Sequence, residues 1–224
     1  MRAAVTRWTA VGLYAVAMAY VESAAVLYLR TILGGIDPVG PRHPPLVPLP
    51  DFAWIEIGRE AATIVMLAAV GYLAASSLVG RIGAFAVAMG IWDIFYYVFL
   101  WLFAGWPPSP LAPDVLFLIP LPWWGPVISP ILAAGVIVVA GAAAMARELG
   151  DGCPKPHWRD VATVLLGAGL CLQAFMANAL AVLPNGGLEA AYYARGGPFP
   201  WPVYAAGLLV GSAGLVRSLT RAKG

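Results

Sequence analysis

Charge is what this chain of 224 residues has least of: Asp, Glu, Lys and Arg make up 11% of it, where soluble domains carry about 25%. That shortage excludes an ordinary soluble domain. The chain is equally short of metal and redox ligands, with two cysteines and two histidines. Cys153 belongs to a polar loop and Cys171 to the middle of an apolar run, so they should not meet. No disulfide framework and no paired-cysteine metal pattern is written here. No basic tract with interleaved aromatics occurs, and the net charge is only +2, so no nucleic-acid partner is expected. Phosphate-loop, dinucleotide-fold, nucleophile-elbow and paired-histidine zinc motifs are absent as well.

What the chain does have is hydrocarbon. It is 61% hydrophobic, its mean hydropathy is +0.82, and its apolar runs recur at about the 20 residues that a bilayer demands of a helix. The expected fold is therefore all-α, a polytopic transmembrane helix bundle of about six spans forming one domain over residues 1–224. The spans are expected near 9–30, 52–79, 82–104, 128–147, 160–183 and 202–219. Arg2 and Arg7 before an apolar run, with Ala17-Met18-Ala19 beyond, resemble a secretory signal. The run continues to Leu29, however, and is read as a retained anchor.

Orientation follows the distribution of basic residues. With the N-terminus inside, Arg2, Arg7, Arg81, Arg147, Lys155, Arg159, Arg217, Arg221 and Lys223 are cytoplasmic. Arg30, Arg42 and Arg195 are external, and Arg59 falls inside the second span. Both termini are thus expected in the cytoplasm, with tight inner connections near Gly80-Arg81 and at 150–160. The histidines, His43 outside and His157 inside, then lie on opposite sides and cannot share a metal or bind an intramembrane haem. Most of the twenty prolines fall in three outer segments, 37–50, 107–130 and 184–202. Proline fixes φ and lacks an N–H, so these should be stiff, extended covers. Trp106, Trp123, Trp124 and Trp201 suit the headgroup level.

Residues 114–124 are too short to span, and read as a re-entrant or interface-lying segment with Asp114 capping a first helical turn. Asp114, Trp123 and Trp124 would then form an interfacial anchor or a lid. Gly207, Gly211 and Gly214 in the last span, with Gly167 and Gly169 in the fifth, mark close helix packing.

The stretch Trp54-Ile55-Glu56-Ile57-Gly58-Arg59-Glu60 places three ionised groups at the head of a span, where charge persists by pairing, by lining a wet cavity or by function. At about 1.5 Å per residue, Glu56 lies roughly 8 Å and Glu60 roughly 14 Å along the second helix. Glu22 lies roughly 20 Å along the oppositely directed first helix, again in the outer half. Asp93 is central in the third helix, on a stripe with Ala86, Gly90 and Tyr97. Gln173 and Asn178 are in the outer half of the fifth and point apart, so one at most joins; Gln173 is favoured. The expected cluster is Glu22, Glu56, Arg59, Glu60, Asp93 and Gln173. Four carboxylates face one intramembrane cation, Arg59, which can hold Glu56 or Glu22 bidentately. The other acids must be protonated, hydrated or bound to a cation.

Glu56-Ile-Gly-Arg59-Glu60-Ala-Ala-Thr, Trp92-Asp93-Ile-Phe-Tyr96-Tyr97 and Leu116-Phe-Leu-Ile-Pro-Leu-Pro-Trp-Trp-Gly-Pro126 together resemble a family of bacterial polytopic integral membrane proteins. The resemblance covers roughly residues 20–130. It implies a bacterial inner (cytoplasmic) membrane and a multi-pass chain, and brings no activity, substrate or cofactor.

Three readings of function stay open. The first is proton- or cation-linked transport or permeation through the carboxylate cluster. The second is a non-catalytic subunit of a larger membrane complex, and the third a membrane-embedded enzyme with a carboxylate-bound metal. Against all three stands a plain Arg–Glu structural brace. No cofactor is expected, with a hard cation at the carboxylates as the alternative. Expected partners are the lipid bilayer and either membrane proteins or further copies of the chain.

Overall fold

The computed structural model describes residues 2–32, 34–35, 50–149, 156–194 and 197–220. Among the described residues, seven helices and one β-hairpin run in the order α1 (Arg2–Ile32), α2 (Pro50–Ala74), α3 (Leu78–Ala104), β1 (Pro113–Phe117), β2 (Trp123–Pro126), α4 (Ile128–Leu149), α5 (Trp158–Phe175), α6 (Ala177–Tyr193) and α7 (Trp201–Thr220). Five of the helices are long and apolar enough to cross a membrane. A sixth span appears if α5 and α6, bent by 66° at Met176, count as one. The first outer loop, most of 37–50, lies outside the described residues, as do His43, Cys153 and Lys155.

Helix α3 is the hub, packed against α1, α2 and α4. Its start is written in local chemistry. Ser77 caps it in extended conformation, its hydroxyl accepting the Gly80 N–H at 3.0 Å. Glu148, at the end of α4, accepts the N–H groups of Ser76 and Ser77 at 2.8 and 2.7 Å. A carboxylate there satisfies orphan amides and complements the positive end of the helix dipole. The α2–α3 turn consequently lies at 75–77, and Gly80 and Arg81 belong to the first turn of α3 rather than to the connection. The helix ends at Gly105, whose φ of 64° is the left-handed conformation glycine adopts freely.

Two helix pairs close through glycine. A Cβ on Gly141 of α4 would stand 2.5 Å from the Gly83 carbonyl oxygen of α3. A Cβ on Gly167 of α5 would stand 2.5 Å from the Gly211 Cα of α7. Backbones this close gain dispersion that lipid cannot supply. Gly207 and Gly214 line the same α5–α7 seam, whereas Gly169 faces open space. Against α3, the α1 stripe Val11, Ala15 and Ala19 buries itself with Leu67 of α2 and Trp92.

Three elements depart from the sequence reading. The outer segment 184–202 is not an extended cover throughout, since its first ten residues, to Tyr193, continue α6, with Pro184 inside it and a kink at Gly187 (φ 70°). Residues 160–183 are not one helix: Met176, with φ −88° and ψ 4°, turns the chain out of α5 into α6. The apolar pattern runs through this break, so periodicity cannot register it. Residues 114–124 form no helical turn and Asp114 caps none. They are an antiparallel hairpin pairing Pro113 with Pro126, Asp114 with Gly125 and Val115 with Trp124, irregular between Val115 and Phe117. The Val127 and Ile128 N–H groups donate to the Ala112 and Pro110 carbonyls at 3.0 and 2.8 Å, tying the hairpin to the start of α4.

Candidate functional site

Three elements converge below the hairpin. On α1, the buried face Val11, Ala15, Ala19, Glu22, Val26 and Arg30 advances in steps of three or four residues and ends in charge. The Ser23 hydroxyl, 2.7 Å from the Ala19 carbonyl and 2.9 Å from that of Tyr96, fixes α1 against α3. On α2, Glu56, Arg59, Glu60 and Thr63 occupy adjoining positions of one face.

Arg59 joins two acids. Its Nη1 meets Glu22 Oε1 and its Nη2 meets Glu56 Oε1. Its Nε donates to Glu56 Oε2 at 2.9 Å. Glu56 is thus held bidentately and Glu22 through a single edge of the guanidinium. The Thr63 hydroxyl lies 3.2 Å from Glu22 Oε2 and 3.1 Å from the Arg59 carbonyl. Glu60 points elsewhere: it is buried, and its Oε2 accepts the Leu118 N–H of the hairpin turn at 2.9 Å. The Tyr192 hydroxyl of α6 reaches the carbonyl of Pro120 in that turn at 3.3 Å.

A second buried pair adjoins the first. Arg30 Nη2 donates to Asp114 Oδ1 at 2.7 Å, with side-chain exposures of 6% and 0%. The Tyr97 hydroxyl donates to Asp114 Oδ2 at 3.1 Å and the Val115 N–H to Oδ1 at 2.9 Å. The Arg30 guanidinium also lies 4.6 Å from the centre of the Trp106 ring. Burial pushes the Asp114 carboxyl above its ordinary range, against the opposing pull of Arg30, the Tyr97 hydroxyl and the Val115 N–H.

The structure brings together four of the six expected cluster residues: Glu22, Glu56 and Arg59 directly, with Glu60 on the adjoining turn of α2. Asp93 is half-buried on α3. It makes no hydrogen bond or ion pair among the described residues, and it follows Gly90, which packs on Ala134 and Val138 of α4. Gln173 does not join. It is exposed, because Ala174 and Phe175 take the inward face of α5. Asn178, the residue passed over, lines a cavity of about 290 Å³ bounded by Trp124, Phe199 and Trp201. Trp123 stacks on Phe175 with centroids 6.0 Å apart, and Trp124 is 2% exposed. Both belong to the hairpin's packing as much as to a cover over the acids.

Half-buried Arg59 is joined by a second cation that is fully buried. Arg30, read from sequence as an external flank, is in phase with Glu22 at eight residues, the spacing that would have revealed it. The roles of Thr63 and Tyr97 had no such signal. Among the described residues, no three His, Cys, Asp or Glu side chains come together in a way that could hold a metal ion. Comparison with family models, with curated proteins and with solved structures returns no match.

Proposed function

We propose that the chain is a bacterial inner-membrane transport or permeation protein whose acidic cluster carries protons or a small cation. The observation that carries this reading is charge imbalance. Glu22 and Glu56 share the one guanidinium of Arg59, and Glu60 is buried against a backbone N–H. A salt bridge neutralises one carboxylate per arginine, so a further negative charge inside the bundle calls for a proton or a cation. Relocating that proton alters what holds the hairpin turn through Leu118, which is how a titrating acid would be coupled to opening of the outer end. The proposed topology has both termini cytoplasmic and the hairpin outside, supported by the excess of arginine and lysine at the other end of the bundle.

The test is flux. Protein reconstituted into vesicles containing a trapped pH dye is given a potassium diffusion potential, then a sodium gradient. Wild-type vesicles should acidify or alkalinise faster than protein-free ones, and Glu60→Gln should remove most of the difference. If wild type matches empty vesicles under both gradients, the transport reading falls. A defined set of co-purifying membrane chains would then favour the subunit reading.

A further inference from the structure

The two glycine-closed pairs, α3 with α4 and α5 with α7, touch each other only lightly away from the hairpin. Between them lies a groove of about 620 Å³, within the roughly 300–1,000 Å³ typical of ligand sites. Its walls include Ile64, Met89, Ile137, Val164, Leu165 and Leu215, and of all its lining residues only Ser218 carries a polar side chain. Along α3 it runs from Val79 to Met89. Ten residues at about 1.5 Å each span about 15 Å, half of a hydrocarbon core about 30 Å thick. The groove is therefore one leaflet deep.

Its end near Val79, Pro156 and Ser218 is basic. Arg147 lies one turn beyond the lining residue Ala144 and Arg159 two residues before Val161, whereas Arg81 is held by the Ala75 carbonyl and the Tyr72 ring and Arg217 by Asp160 and Thr163. Among the described residues, the acids at that end are engaged within the protein: Glu148 by the Ser76 and Ser77 amides, and Asp160 by Arg217 at 3.3 Å. An apolar slot of single-leaflet depth ending among arginines is complementary to one class of molecule.

We propose that this groove seats an acyl chain of an anionic phospholipid, whose phosphate is held by the arginines at its basic end. The chain displaces nothing polar, and the phosphate meets guanidinium groups suited to it.

The test uses the purified full chain, stripped of lipid in detergent and titrated separately with dioleoyl phosphatidylglycerol and dioleoyl phosphatidylcholine. Bound lipid is counted by native mass spectrometry. One phosphatidylglycerol per chain is expected, bound roughly thirtyfold more tightly than phosphatidylcholine given two engaged arginines. Ala140→Phe, which fills the groove, should weaken both lipids, and Leu165→Trp at its rim does the same should the first variant not fold. Arg147→Gln with Arg159→Gln should bring phosphatidylglycerol down to the phosphatidylcholine level. Equal binding of the two lipids by wild type would overturn the headgroup assignment. Undiminished binding by a folded groove variant would overturn the site. A wild-type dimer abolished by Ala140→Phe would show that a second copy, not lipid, fills it.

Discussion

Replacing Arg30 by Met is the sharpest available test of the buried pair. The side chain retains its apolar length along α1 but removes the guanidinium 2.7 Å from Asp114. Asp114 is then left at 0% side-chain exposure with the Tyr97 hydroxyl and Val115 N–H but without that counter-ion. Breaking one side of a buried pair costs roughly 3–5 kcal/mol. Loss of the stacking on Trp106, 4.6 Å away, adds about 1–2 kcal/mol where the contact is desolvated. The expected destabilisation is therefore about 4–7 kcal/mol. Adding Asp114→Asn should return most of it. The amide keeps an acceptor for Val115 and a polar partner for Tyr97, and no unpaired carboxylate remains. The measurement is reversible unfolding of all four members of the cycle in mixed micelles, following tryptophan fluorescence, with the coupling energy taken from the cycle. A loss below about 1 kcal/mol for Arg30→Met, the level of an exposed pair, would refute the reasoning. So would a double variant no more stable than the single one.

Two further outcomes follow from the same geometry. Arg59→Leu should destabilise by roughly 3–5 kcal/mol, since Glu22 and Glu56 both lose their counter-ion, and Glu22→Leu, Glu56→Met and Arg59→Leu together should recover it. If that recovered triple variant keeps full ion flux, the cluster is a brace; if it folds and is silent, the acids work. In a background lacking Cys153 and Cys171, Ser109→Cys should react with a membrane-impermeant maleimide added outside intact cells, and Ser76→Cys should not. The reverse pattern would invert the topology.

Though it failed at 160–183, which bends at Met176, hydropathy alone placed five of the six long apolar helices, because the cost of unpaired backbone in hydrocarbon leaves a long apolar run little choice but a helix. The glycines of α5 and α7 marked their seam for a similarly local reason: a residue without Cβ is legible wherever it stands. The grouping of Glu22 with Glu56 and Arg59 was also legible, since helix rise and handedness alone set depth and face. Other features depended on contacts between segments distant in sequence. Asp114 looked like a helix cap because Asp is a good one, but a hairpin paired to Trp124 and a guanidinium 84 residues away put it in the core. The bend at Met176 left no trace in the apolar pattern, since both arms are hydrophobic. It carries Asn178 to an aromatic cavity while Gln173 stays on the outer surface. Sequence fixes what each helix must bury; only tertiary packing decides which charges share a partner, because ion pairs depend on ångströms between chains that no single-chain spacing encodes.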